Sequence, residues 1–299
     1  MVEDALVTEA GSDPSAGYES RETEELVTLV NAEDATVPSA VAEATPAIAA
    51  VVDAVAERLR SGGRLVYVGA GSSGRIAALD ASECEATFAT ARGTVVGLVA
   101  GGETAPVLAQ AAAEDDRAAG ARDVESLAVG PSDAVVGVSA SGTTPYVLGA
   151  IEAASKAGAL TACVVAASAS ELGALVGHEI AVVVGPEFIA GSTRLKAGTA
   201  QKLVLNAIST ISMIRLGKTY GNLMVDVVAS NEKLKERVRR IVGAATGASS
   251  EEVDAALADA DGSARVAIVS LLAGVDVRTA RARLDASDGS IARALEDAP

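Results

Sequence analysis

Residues 64–74 read Arg-Leu-Val-Tyr-Val-Gly-Ala-Gly-Ser-Ser-Gly, and a helical pattern follows from Arg75. A strand, a tight glycine-serine turn and a helix start bring free backbone N–H groups and the positive end of a helix dipole to one point. That is the chemistry of anion binding. The arrangement occurs twice. Asp133-Ala-Val-Val-Gly-Val is strand-like, Ser139-Ala-Ser-Gly-Thr-Thr144 is the turn, and Pro145 opens a helix at its first position. Two hydroxyl-rich turns at strand ends of one sheet predict a bound phosphate. Ser73 and Ser141 are the first donors, with Ser72, Gly74, Ser139 and Thr144 beside them. The competing role for serines in turns is local backbone capping.

Gly69-Ala-Gly-Ser-Ser-Gly74 also fits the G-x-G-x-x-G pattern of dinucleotide sites. Such a site needs an acidic ribose partner at the tip of the next strand. That strand ends Val99-Ala-Gly-Gly102, with Glu103 only beyond the tip, so phosphate binding without a dinucleotide is the better reading.

Composition narrows the partners. A net charge of −16 argues against nucleic acid and against an anionic membrane surface, both of which need basic area. Positive charge for an anionic ligand must therefore be local. Lysines are scarce, and Lys196, Lys202 and Lys218 fall close together in sequence. Cys84 and Cys163 are far apart and read as free thiols in a reducing cytoplasm. His178 is the only histidine, so no Cys/His metal cluster is possible, and no metal is expected. The N-terminal stretch does not read as a signal peptide, and no apolar run reads as a membrane span.

The elements that must position these turns follow from periodicity. Residues 1–20 are polar and read as a loose arm. Helices are expected over 21–31 and 38–60. Short Val-rich strands come at 64–69, 94–99, 133–138, 160–166 and 180–184, mostly separated by helices. This is the pattern of an α/β fold, a parallel sheet flanked by helices. A long helix is expected over 199–216. The chain beyond Asn231 is helical throughout and reads as a small C-terminal helical bundle. Expected domains are residues 1–50 (arm and helices), 51–228 (sheet domain) and 229–299 (helical subdomain).

The turn Ser139-x-Ser-Gly-x-Thr144 resembles the sugar-phosphate loop of sugar isomerase (SIS) domains, which implies a flavodoxin-like three-layer sandwich. More narrowly, Gly69-Ala-Gly-Ser-Ser-Gly-Arg75, Leu79-Asp-Ala-Ser-Glu-Cys84, the block Gly185–Asn206 and Gly217-Lys-x-Tyr-Gly-Asn-Leu-Met-Val-Asp-Val227 resemble the N-acetylmuramic acid 6-phosphate etherase family. The similarity runs from about residue 22 to the end. The glucokinase regulatory protein shares much of this pattern, which keeps binding without catalysis in view.

The resemblance implies a lyase that removes D-lactate from C3 of N-acetylmuramate 6-phosphate and adds water, giving N-acetylglucosamine 6-phosphate. With the ring open, the C1 aldehyde acidifies the C2 proton. A base takes it, and an acid protonates the departing lactyl oxygen. Two carboxyls can do this without metal or cofactor. By motif matching, Glu83 is the acid for lactate departure and Glu114 is the candidate base at C2. Lys196 matches a sugar-phosphate ligand reaching across the interface of a homodimer with shared active sites. Arg75 and Arg194 fit ion pairing as well as ligand contact. The alternatives are an SIS-type sugar-phosphate isomerase and a non-enzymatic sugar-phosphate regulator. Where the family commonly carries alanine and arginine, the second turn has Ser139 and Thr143. Glu85-Ala86 stands where Pro-Pro is common.

Overall fold

The computed structural model describes residues 17–102, 111–227 and 232–296. Two compact units divide it: residues 1–82 with 93–209, and residues 83–92 with 210–299. The division falls inside two continuous helices, Gly71–Phe88 and Lys196–Arg215.

In the first unit, α1 (Thr23–Asp34), α2 (Val37–Glu43) and α3 (Thr45–Arg60) precede the sheet. The single helix expected over 38–60 is broken at Ala44. Pro46 lacks an N–H and disfavours a helical residue before it, so it sits in the first turn of a new helix. The sheet follows: β1 (Leu65–Gly69), α4 (Gly71–Phe88), β2 (Val95–Val99), α5 (Arg117–Ser126), β3 (Ala134–Val138), α6 (Pro145–Lys156), β4 (Leu160–Val165), α7 (Glu171–Leu175), β5 (His178–Ala181) and α8 (Lys196–Arg215). The five strands are parallel in the order β2-β1-β3-β4-β5.

β1 and β3 are buried on both faces, which explains their unbroken apolar runs. Val66, Val68, Val135, Cys163 and Val165 pack with Tyr146, Val147, Ile151 and Ala154 of α6 in one apolar cluster. Tyr67 lies on the opposite face, and its hydroxyl donates to the Leu205 carbonyl of α8 at 3.5 Å. Asp133, just before β3, accepts from the Arg64 backbone N–H at 2.8 Å and from the Arg64 side chain, tying the entries of β1 and β3 together. The Arg64 guanidinium holds its carboxyl below the usual carboxylate range.

Most of the expected loose arm lies outside the described residues. Its last part, Tyr18–Ser20, is a 3-10 turn, and the Tyr18 ring stacks on Phe188 with centroids 4.5 Å apart.

The second unit contains the hairpin β6 (Thr219–Tyr220) and β7 (Leu223–Met224), which periodicity did not reveal. Helices α9 (Glu232–Thr246), α10 (Ser250–Asp259), α11 (Ala264–Ala273), α12 (Val277–Ala286) and α13 (Ile291–Glu296) form the expected bundle around Val242, Ile268, Val269 and Ile291. Ser249, Ser263 and Asp276 cap three of these helices with their side chains. Asp226 takes Lys218 Nζ at 3.0 Å and the Arg265 guanidinium, holding the chain after the hairpin to α11. Among the described residues no single helix is long and apolar enough to cross a membrane.

Candidate functional site

The chain leaves β1 for β2 on one side of the sheet and returns to β3 on the other. The crevice at the carboxyl ends of β1 and β3 is therefore the topological switch point, where open α/β sheets take their ligands. Gly69 and Val138 are register partners there, so both hydroxyl-rich turns leave the sheet side by side.

In the first turn, Gly71 takes φ +53°, and α4 begins with it. The first helical bond joins the Gly74 N–H to the Ala70 carbonyl at 3.1 Å. The N–H groups of Gly71, Ser72 and Ser73 precede it at the helix N-terminus. The amide of Gly74 is engaged in the helix, and its role is close approach. A Cβ on Gly74 would stand 2.6 Å from the Gly69 carbonyl oxygen. Ser72 and Ser73 are half-buried.

The second turn is a network of hydroxyls. Ser139 is buried, accepts from the Gly142 N–H at 3.0 Å, and bonds Thr144 Oγ1 at 2.9 Å. Ser141 Oγ accepts from the Thr143 N–H at 3.3 Å and from Thr143 Oγ1 at 3.0 Å. Thr144 then leads into α6 without a side-chain cap bond. Local capping thus accounts for Ser139, while Ser141 and Thr144 remain half-buried at the crevice.

Glu114 lies between the two turns. Its backbone carbonyl accepts from the N–H of Tyr146, in the first turn of α6, at 3.0 Å. Its Oε2 is 3.9 Å from where a Cβ on Gly71 would stand. Packing of α5 on α6 fixes this placement. Neither Gly120 nor Gly149 could carry a Cβ, because it would overlap the carbonyls of Tyr146 and Arg117 respectively. Asp116 caps α5 by accepting from the Ala119 N–H at 2.8 Å, which lowers its pKa. The Tyr146 hydroxyl donates to Asp123 Oδ2 at 2.6 Å, and burial together with that carboxylate raises the phenol's pKa.

Lys196 opens α8 and is buried. In the single chain its ammonium donates to Glu33 Oε2 at 2.6 Å. Its backbone N–H and that of Ala197 donate to the two carboxylate oxygens of Glu187, at 2.9 and 3.0 Å. Glu187 is fully buried and caps the helix. The start of α8 borders α4: a Cβ on Gly198 would lie 3.4 Å from Ile76 Cδ1.

Glu83, the acid implied by motif matching, belongs to the helix that follows the first turn. It lies inside α4, in the second compact unit, and is exposed. Cys84 beside it is buried. Arg75 is half-buried on α4, and Arg194 is exposed ahead of α8. His178 opens the edge strand β5. Glu103 lies outside the described residues. Sequence reasoning missed Glu33, which no local signal links to Lys196. It also missed the cap formed by Glu187, although the Pro-Glu before α8 lies within the resembling block.

Comparison with known proteins places these features in a lineage. Residues 47–155 match the family model of the glucokinase regulatory protein N-terminal SIS domain. Phosphoheptose isomerases of Francisella tularensis and Neisseria gonorrhoeae share the fold. Their TM-scores are 0.50 and 0.51 at 20% and 17% identity, covering 63% and 64% of this chain and 98% of each of theirs. An N-acetylmuramic acid 6-phosphate etherase of Rubrobacter xylanophilus is 59% identical over 97% of this chain and 96% of its own length. The etherase of Streptomyces avermitilis is 55% identical over 99% and 95%. With that identity over nearly the full length of both partners, the chain belongs to the N-acetylmuramic acid 6-phosphate etherase family.

Proposed function

We propose that the protein is a carbon–oxygen lyase that cleaves the D-lactyl ether of N-acetylmuramate 6-phosphate by elimination followed by water addition. The products are N-acetylglucosamine 6-phosphate and D-lactate, which suits recycling of cell-wall amino sugars. Family membership supports the reaction. The observation that carries the chemistry is the position of Glu114, with its backbone on the N-terminus of α6 and its carboxylate beside the first residue of α4.

In this reading the 6-phosphate sits at the switch point. The backbone N–H groups at the start of α4 and the hydroxyls of Ser72, Ser73, Ser141 and Thr144 donate to its oxygens. Ser139 shapes the turn, Gly74 lets the first turn pack on the sheet, and Lys196 supplies positive charge. A phosphate anchored there presents the open-chain sugar to Glu114, which takes the C2 proton. Glu83 protonates the departing lactyl oxygen. Hydration reverses the two transfers.

The working unit is a homodimer. Leu79 on α4, Val27 on α1 and Ile189 ahead of α8 are large apolar side chains exposed in the single chain and available for burial against a second copy. Cys84 and Cys163 are buried and form no disulfide, which suits a reducing cytoplasm.

The test is incubation with N-acetylmuramate 6-phosphate and enzymatic detection of D-lactate. Stoichiometric lactate and N-acetylglucosamine 6-phosphate are expected. Intact substrate after prolonged incubation, or isomerisation without lactate, would overturn the reading.

A further inference from the structure

The second turn does more than supply hydroxyls; it fixes which way one of them points. A serine hydroxyl has one proton and two lone pairs. Both lone pairs of Ser141 Oγ face Thr143, one toward its N–H at 3.3 Å and one toward its Oγ1 at 3.0 Å. Within the loop only Ser139 Oγ, 3.5 Å away, remains for the Ser141 proton, and that is at the limit of a hydrogen bond. Ser139 is already engaged by the Gly142 N–H and Thr144 Oγ1. Ser141 is therefore left with its acceptor sites filled and its donor weakly used.

We propose that Thr143 is a positioning residue that holds Ser141 as a donor-only hydroxyl, so that the loop selects the fully ionised form of a phosphate monoester. The proposal rests on the phosphate site described under Proposed function. A dianionic phosphate offers only acceptors and suits a hydroxyl that can only donate. The monoanion carries a P–O–H proton, which needs an acceptor that Ser141 cannot offer while Thr143 fills its lone pairs. Accepting two bonds also polarises the Ser141 O–H and strengthens its donation. Thr143 itself is exposed and need not touch the ligand.

Two carboxylates lie near this loop without an observed contact to it. Glu114 lies beside the start of α4. Glu179 of β5 stands behind the loop, accepting from Ser170 Oγ at 3.3 Å, while the Leu172 N–H of α7 donates to the Gly142 carbonyl at 2.9 Å. Lys196, Glu33, Arg75 and Arg194 are the other charged groups of the same unit considered for the ligand. All are unchanged by substitution at 143, so the ratio of variant to parent affinity at each pH reads Thr143 alone.

The experiment is calorimetric titration of the full-length protein with N-acetylglucosamine 6-phosphate between pH 5 and pH 7.5, for the parent, Thr143→Val and Thr143→Ser. The second ionisation of the phosphate, near pH 6, falls inside this range. Parent affinity should fall about tenfold from pH 7.5 to pH 5 as the dianion is lost. Thr143→Val keeps the backbone N–H and loses the hydroxyl. It should bind about fivefold more weakly at pH 7.5, as for one neutral hydrogen bond, and converge on the parent at pH 5. Thr143→Ser should restore the parent profile. An unchanged affinity for Thr143→Val, or a loss equal at both pH values, would overturn the proposal. Equal parent affinity for unphosphorylated N-acetylglucosamine would instead remove the phosphate site itself, and this proposal with it.

Discussion

The ammonium of Lys196 and the carboxylate of Glu33 meet at 2.6 Å across a sequence separation of 163 residues. The two partners are unequally placed. The Lys196 side chain is 4% exposed and that of Glu33 46%. Lys196 also occupies the first position of α8, where a positive charge opposes the helix dipole. Glu187 and Glu33 together offset that placement, one on the backbone N–H groups and one on the ammonium.

Removing either partner should therefore have unequal consequences. Glu33→Ala strands a buried ammonium and should destabilise by about 2 kcal/mol, below the usual range for a fully buried pair because water reaches Glu33. Lys196→Met leaves a half-exposed carboxylate and a well-filled site, at about 1 kcal/mol or less. Urea denaturation measures both. A larger loss from Lys196→Met would show that the lysine, not its counter-ion, secures this corner of the fold.

Gly120→Ala tests how Glu114 is placed. The new methyl would overlap the Tyr146 carbonyl, forcing α5 from α6 at about 1–3 kcal/mol. The N–H of Tyr146 is what holds the Glu114 backbone, so activity should fall at least tenfold even well below the melting temperature. Full kcat in a destabilised Gly120→Ala protein would show that Glu114 is positioned by other contacts.

Asp133 makes stability depend on acid. Its pKa is lowered by the Arg64 side chain, by the N–H groups of Gly130 and Arg64, and by the Arg64 charge. Because the folded value lies below the unfolded one, the contribution is fully present above about pH 4 and drains as pH falls through the depressed value. Asp133→Asn should lose roughly 1–3 kcal/mol at pH 7. The gap between parent and variant should narrow below pH 4. Thermal melts of both proteins at pH 7 and pH 3 check this, and a gap that stays constant would remove the linkage.

The sequence made the sheet and the two turns legible because their signals are local. Val-rich runs ending in Gly-Ser turns mark strand ends, and alternation with helices implies a parallel sheet. The break at Ala44 was also local, since Pro46 sits two residues on, but helical periodicity continues across it and conceals the bend. Glu33 and Glu187 were hidden for another reason. Each acts on α8 from a distant or irregular segment, and only the fold brings it there. Thr143 was visible as a lost arginine, whereas its bonds to Ser141 depend on turn geometry that composition does not encode.

The two carboxylates should fail in different ways. Glu114 is fixed by backbone bonding beside the two hydroxyl-rich turns of the first unit. Glu83 lies on α4 within the second unit and is exposed in the single chain. If Glu114 takes the C2 proton, Glu114→Gln should abolish both solvent-deuterium exchange at C2 and lactate release. If Glu83 only protonates the leaving oxygen, Glu83→Gln should block lactate release and leave C2 exchange in the substrate largely intact. Each transfer is worth about 10²–10⁴ in rate, so the contrast is well above detection. Proton NMR of N-acetylmuramate 6-phosphate in deuterium oxide with each variant follows both events at once. Near-normal lactate release by both variants would sink the assignment of acid and base. Loss of exchange in both would mean that the two carboxyls act in one coupled step, in which the C2–H and C3–O bonds break together.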